Sequence, residues 1–216
     1  MTVQATSATE DQIDDEMLET TYRDLEQGAV DRAESTYRQL LEDSAHRADA
    51  LNGLGLVAML RGQMGNAIDL LRQVLDITLA HAAARLNLVK SLMIEGQRLT
   101  GQGSLENAAA MLGAARKEID HEEARAISVT CRVPLGRMFS VLGVEYQRQR
   151  RDFSTAIEML RMARSLVPEE ADLRVGQAAS VPIPTDGSLR RLSNFHHKDT
   201  RHEGVLESRR AFVSLW

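Results

Sequence analysis

Residues 50–75 of this chain read ALNGLGLVAMLRGQMGNAIDLLRQVL, and this stretch decides the fold. Two apolar helical patterns flank the short turn RGQMG at residues 61–65. Small residues, Gly55, Ala58 and Ala67, stand where the two helices would have to cross closely. The pattern predicts a helix-turn-helix hairpin. Because such a hairpin buries only one face by itself, it needs similar hairpins on either side.

The spacing of glycines and alanines indicates that the hairpin is repeated along the chain. Five residues separate Gly28 from Ala33, and five separate Gly62 from Ala67. Ala67 follows Ala33 by thirty-four residues, and Gly96 follows Gly62 by thirty-four. A period of thirty-four residues is the spacing of the tetratricopeptide repeat (TPR), in which two helices form one unit of a stacked array.

The chain therefore resembles the tetratricopeptide-repeat family, and the resemblance implies an all-α solenoid across residues 14–170. About four TPR-like helix-turn-helix repeats are expected, at residues 14–47, 48–81, 82–122 and 137–170. In the third repeat the expected alanine would fall at position 101, and its plausible equivalent is Ala108. This offset predicts about seven extra residues in the turn of the third hairpin, within GQRLTGQGS at residues 96–104.

Two further irregularities are predicted, one just before the fourth repeat and one within it. Pro134 favours either an added helical segment before it or a longer first helix that bends there. Thirteen residues separate Gly143 from Ala156, where the family usually has twelve, so one extra residue is expected near Arg150 and Arg151.

The two ends differ from the repeats in composition. Residues 1–12 predict a disordered acidic leader without the basic start and apolar core of a secretory signal. Residues 175–216 predict a flexible or loosely docked tail, and a shifted reading frame is an alternative explanation for the abrupt change. No run of about eighteen apolar residues occurs, so no membrane span is expected.

Composition and charge narrow the classes of function. The net charge of −5 argues against nucleic-acid binding, which usually leaves a basic footprint. Cys131 is the only cysteine, so a reducing, cytoplasmic location is the natural expectation. No catalytic, cofactor or metal motif is recognised. The histidine cluster His196, His197 and His202 lacks a fixed third ligand of another kind. The sequence thus predicts a protein that is not an enzyme, with no cofactor and no metal.

The family resemblance also suggests where a partner would bind. It implies that first helices line a concave groove, with Asn52, Leu56 and Met59 in the second repeat and Asn87, Lys90 and Met93 in the third. The asparagines would hydrogen-bond a bound backbone, and the methionines would adapt to apolar side chains. The alternative for Met59 and Met93 is packing against adjacent helices.

These features together predict a non-enzymatic adaptor or scaffold. It would bind a peptide or helix of a protein partner in the groove and so assemble or regulate a complex. The alternative is a self-associating structural protein that forms a homo-oligomer through the ends of its repeat array.

Overall fold

The computed structural model describes residues 16–42, 46–121 and 124–167, and every regular element in them is a helix. The all-α prediction is confirmed for this part of the chain, whereas the predicted leader at 1–12 and tail at 175–216 lie outside it. The helices are α1 at residues 16–26, α2 Val30–Leu40, α3 Arg47–Leu60, α4 Met64–Ile77, α5 Ala82–Gly101, α6 Leu105–Ile119, α7 Arg125–Glu145 and α8 Phe153–Leu166.

The helices fall into two compact units. The boundary lies between Ala84 and Arg85, inside α5. The first unit contains α1 to α4 and the start of α5. The second unit contains the rest of α5 together with α6, α7 and α8.

Three of the hairpin turns close in the same way around a glycine. In each, the residue after the glycine donates its N–H to a carbonyl five residues back, as in a Schellman motif. A positive φ is required at the glycine, which has no Cβ to clash. Five residues later comes a buried alanine. The glycines are Gly28 (φ 79°), Gly62 (φ 73°) and Gly103 (φ 75°), and the alanines are Ala33, Ala67 and Ala108.

A second recurring feature is the point at which the two helices of a hairpin cross. A Cβ added to Gly55 of α3 would lie 2.9 Å from Leu71 Cγ of α4. In the second unit, a Cβ on Gly96 of α5 would lie 2.6 Å from Leu112 Cδ2 of α6. Both distances are shorter than a carbon–carbon contact allows, so the close approach requires glycine at each crossing.

The predicted insertion in the third turn is wrong. Residues up to Gly101 belong to α5, and only 102–104 form the turn. Twelve residues separate Gly96 from Ala108, as twelve separate Gly55 from Ala67, so nothing is inserted between them. The extra residues instead lie before Gly96: fourteen residues of α5 precede Gly96, whereas eight residues of α3 precede Gly55. Gly96 had suggested a flexible loop. In the structure it is required by the close packing of α5 on α6.

The fourth hairpin contains a continuous first helix and a wide turn. Pro134 lies inside α7, so the prediction of a longer first helix is the one that agrees with the structure. The π-helical turn Tyr146–Arg150 follows, and Arg151 ends it with a φ of 53°. The Asp152 N–H then bonds the Tyr146 carbonyl six residues back at 3.4 Å, one residue more than in the other turns. A π turn accommodates one extra residue, which accounts for the spacing of thirteen.

Consecutive helices pack against each other within each unit. In the first, α2 packs on α3 and α3 on α4, with the buried Tyr37 ring lying directly over Gly53. In the second, α6 packs on α7 and α7 on α8 around Phe139 and Leu142. Asp152 caps α8 by accepting a hydrogen bond from the Thr155 N–H at 3.1 Å.

Candidate functional site

The six residues predicted to face a partner are all buried. Asn52, Leu56 and Met59 lie on α3 in the first unit, and Asn87, Lys90 and Met93 lie on α5 in the second, with exposed fractions between 0% and 8%. The exposure expected from the repeat numbering is therefore absent in this conformation. The reason is that α3 and α5 carry apolar residues on every side, and helices of that kind are enclosed by their neighbours.

For the two methionines, burial agrees with the alternative interpretation, in which they pack against adjacent helices. Contact between these six residues and a partner stays a prediction. It requires a change of conformation that uncovers them.

In the first unit, Asn52 belongs to a buried polar cluster. The rings of Tyr22 and Tyr37 meet edge to face, with their centroids 5.8 Å apart. Burial raises the pKa of the Tyr22 hydroxyl, and the negative charge of Asp49 raises it further, whereas hydrogen bonding to the side chains of Asn52 and Tyr37 opposes the rise. A buried hydroxyl needs a hydrogen-bond partner, so Asn52 has a structural role here.

His81 joins the start of α5 to α3. Its Nδ1 accepts a hydrogen bond from the Ala84 N–H at 3.2 Å, and its Nε2 lies 3.3 Å from Asp49 Oδ1. Because Nδ1 acts as an acceptor, the ring proton of the neutral tautomer lies on Nε2 and is donated to Asp49. His81 therefore replaces the serine or aspartate that usually caps a helix.

The second unit buries a lysine together with the single cysteine. Burial lowers the pKa of Lys90 to about 8, and the electrostatic interaction with Cys131 partly opposes this shift. Burial also raises the pKa of the Cys131 thiol, which keeps the thiol protonated and unreactive. Arg85 of α5 pairs with Glu118 of α6 at 2.6 Å. Among the described residues, no group of three or more His, Cys, Asp or Glu side chains could hold a metal ion.

A cavity of about 210 Å³ opens in the first unit between α2, α3 and α4. Its floor is apolar, and its rim carries charged and amide side chains. The floor consists of Leu54, Val57, Ala58 and Leu70, and the rim consists of Glu34, Arg38, Arg61, Gln63 and Asn66. This site was not predicted from the sequence, because the groove positions of first helices do not include it. Leu54 and Leu70 are only partly buried, and the sequence alone does not show this because it depends on how the three helices pack.

Ion pairs hold the rim of the cavity in place. One oxygen of Glu34 pairs with Arg38 at 2.5 Å, and the other pairs with Arg61 at 2.5 Å. Arg61 also contacts Asp31 at 2.5 Å, and the Asp31 side chain is 97% exposed. Glu34 is thus bound from both sides, whereas Asp31 is an outer partner in full contact with solvent.

An apolar surface lies on α8 in the second unit. Phe153 and Ile157 are 58% and 49% exposed, and because they are four residues apart they share one face of the helix. Exposed large side chains that adjoin in this way favour an interaction surface.

No described helix combines the length and the apolar character that a membrane span requires. Comparison with models of known protein families finds none that matches the chain, and comparison with curated proteins finds no similar sequence.

Proposed function

We propose that this chain is a non-enzymatic adaptor of the TPR-like kind, which binds a peptide or helix of a protein partner and so assembles or regulates a complex. The observation that carries the proposal is the cavity between α2, α3 and α4, with its apolar floor and polar rim. Binding sites commonly combine an apolar pocket with a few polar groups that fix orientation. The recurring glycine turns and crossings support a TPR-like scaffold beneath it.

The proposal places the first contact at the cavity rather than at the six buried residues. Asn52 and Met59 are fully buried within the first unit, so substituting them would disturb folding and binding together. The buried, protonated thiol of Cys131 fits a cytoplasmic location, where thiols stay reduced.

Capture of partners from native extract tests the proposal, with variants that change the cavity floor or its rim. Leu70→Glu places a charge in the floor, and Asn66→Trp fills the mouth from an exposed position. Ile77→Glu is the matched control, since Ile77 is exposed on the same helix and does not line the cavity. Circular dichroism melting shows which variants are folded.

We expect the wild type and Ile77→Glu to capture the same partner. Both cavity variants should recover at least tenfold less of it, as measured by quantitative mass spectrometry. Equal recovery by all four proteins would place the binding surface elsewhere. Failure of the wild type to capture any protein would contradict the adaptor function.

Self-association is the second candidate, and the exposed pair Phe153 and Ile157 on α8 favours it. A second copy of the chain could cover this apolar face and form a homo-oligomer. Light scattering during size-exclusion chromatography over a hundredfold range of concentration tests it. A constant monomer mass would eliminate this candidate.

A further inference from the structure

We infer that the cavity of the first unit selects a peptide segment in which an acidic side chain lies next to an aliphatic one. This inference rests on the proposed function, because it names the chemistry of the partner at the same site. It follows from the charges of the rim and the apolar floor beneath them.

The rim carries two arginines and one glutamate, and the exposed Asp31 outside it brings the charge of this ion-paired group to zero. Arg38 and Arg61 share the single carboxylate of Glu34, whose side chain is only 15% exposed. Among the described residues, only Asp31 adds a second carboxylate to these arginines, and it contacts Arg61 from a fully solvated position. Two guanidinium groups therefore face one fixed carboxylate at the mouth of the cavity.

A carboxylate of the partner can replace Asp31. The Asp31 side chain is 97% exposed while that of Arg61 is 33% exposed. An ion pair with one fully solvated partner contributes little to stability, so we expect a better-placed carboxylate to displace Asp31. A carboxylate placed over the apolar floor would be less hydrated, and guanidinium groups bind carboxylates with two parallel hydrogen bonds. A basic side chain in the same place would meet Arg38 and Arg61 instead, which disfavours it.

The floor and the amides supply the remaining contacts. Leu54 and Leu70 are partly exposed to the cavity, which leaves apolar surface for an aliphatic side chain to cover. Gln63 and Asn66 are exposed at its edge and can hydrogen-bond the peptide backbone on either side.

Fluorescence anisotropy with three pools of labelled 15-residue peptides tests the inference on the full chain. All pools carry aliphatic residues at the same helical spacing, and the positions between them are filled with Glu, Gln or Lys. The protein variants are Arg61→Met, which keeps the aliphatic stem without the charge, and Asp31→Asn, which releases Arg61. Arg98→Met is the control, since Arg98 is an exposed arginine that pairs with Glu95 in the second unit.

The Glu pool is expected to bind at least tenfold more tightly than the Gln pool, and the Lys pool more weakly still. Arg61→Met should weaken binding of the Glu pool about tenfold, and Arg98→Met should leave it unchanged. Asp31→Asn should tighten binding two- to fivefold, because it removes the internal competitor. A merely structural role of Asp31 would not produce tighter binding.

Equal binding of the Glu and Gln pools, preference for the Lys pool, or no binding by any pool would overturn the inference. The Glu and Gln pools could bind the wild type equally and both fail to bind Leu70→Glu. In that case the cavity would still be a partner site, and only its acidic preference would be wrong. A dimer of the peptide-free protein that Arg61→Met dissociates would assign the cavity to a second copy of the chain and would also overturn it.

Discussion

Gly96 makes room for Leu112 at the crossing of α5 and α6, and Gly103 supplies a positive φ in the turn that follows. Glycine thus has two roles within eight residues, close helix packing and a left-handed turn. Both glycines suggest a loop when only the sequence is read. The distance to the buried alanine separates them, since the crossing glycine precedes Ala108 by twelve residues and the turn glycine by five.

Gly96→Ala should lower the free energy of unfolding by about 1 to 3 kcal/mol, because the new methyl group would overpack against Leu112. Gly113→Ala is the matched control next to Leu112, and no atom lies within 4 Å of its added Cβ. This control should raise stability by about 0.5 to 1 kcal/mol through the helix preference for alanine. Urea unfolding measures both, and equal effects would mean that the crossing has room to relax.

Lys90 makes stability depend on pH in the alkaline range. Its pKa falls from 10.5 to about 8 on folding, so the unfolded chain binds more protons between these values. Stability should therefore rise with pH across this window, by up to about 3 kcal/mol. Lys90→Met should be more stable than the wild type at pH 7, and the difference should shrink toward pH 10.5.

The comparison between wild type and Lys90→Met isolates this residue from other titrating groups such as Cys131. Guanidinium unfolding at several pH values measures the difference. A difference that stays constant from pH 7 to pH 10.5 would show that Lys90 keeps its ordinary pKa in the folded protein.

At the scale of elements, the four hairpin turns fall into two kinds. Three end on glycine, whereas the fourth ends on Arg151 after a π turn. The spacing of thirteen residues predicted an extra residue at this place. Its form was not predictable, because a single insertion can be absorbed by a bulged helix or by a longer loop.

Arg151→Gly should raise the free energy of unfolding by about 1 kcal/mol, since it removes the clash of a Cβ in the left-handed region. Gly62→Ala is the converse change. It should cost a similar amount through backbone conformation alone, because no atom lies within 4 Å of the added Cβ. Thermal unfolding of the two variants measures both effects. A loss of stability in Arg151→Gly would indicate that the arginine side chain makes a stabilising contact.

Across the described residues, the sequence predicted the helices and their hairpins well. It did not predict which side chains are exposed to a partner. Periodicity locates Ala67 and Leu71 on the inner face of α4, because burial of an apolar stripe is a local consequence of the pattern. It could not show that Asn52 and Lys90 are enclosed, since that depends on which helices pack around them. The cavity was equally hidden, because it forms where three helices leave a gap.

Self-association through α8 gives a prediction for the whole molecule. Phe153→Glu combined with Ile157→Glu should abolish any oligomer of the wild type, because charged side chains would replace the exposed apolar pair. Val129→Glu is the control on α7, where Val129 is 71% exposed. Sedimentation velocity measures the distribution of species. An oligomer that survives the double substitution must use another surface.

The length of α5 has a consequence for how this chain can vary. Seven residues make nearly two turns, so adding seven before Gly96 would rotate the earlier part of the helix by only about 20° relative to the rest. An addition of five residues would rotate it by about 140° and turn buried side chains toward solvent. Natural variants of this helix should therefore differ in length by sevens, with the crossing at Gly96 and the turn at Gly103 kept in register.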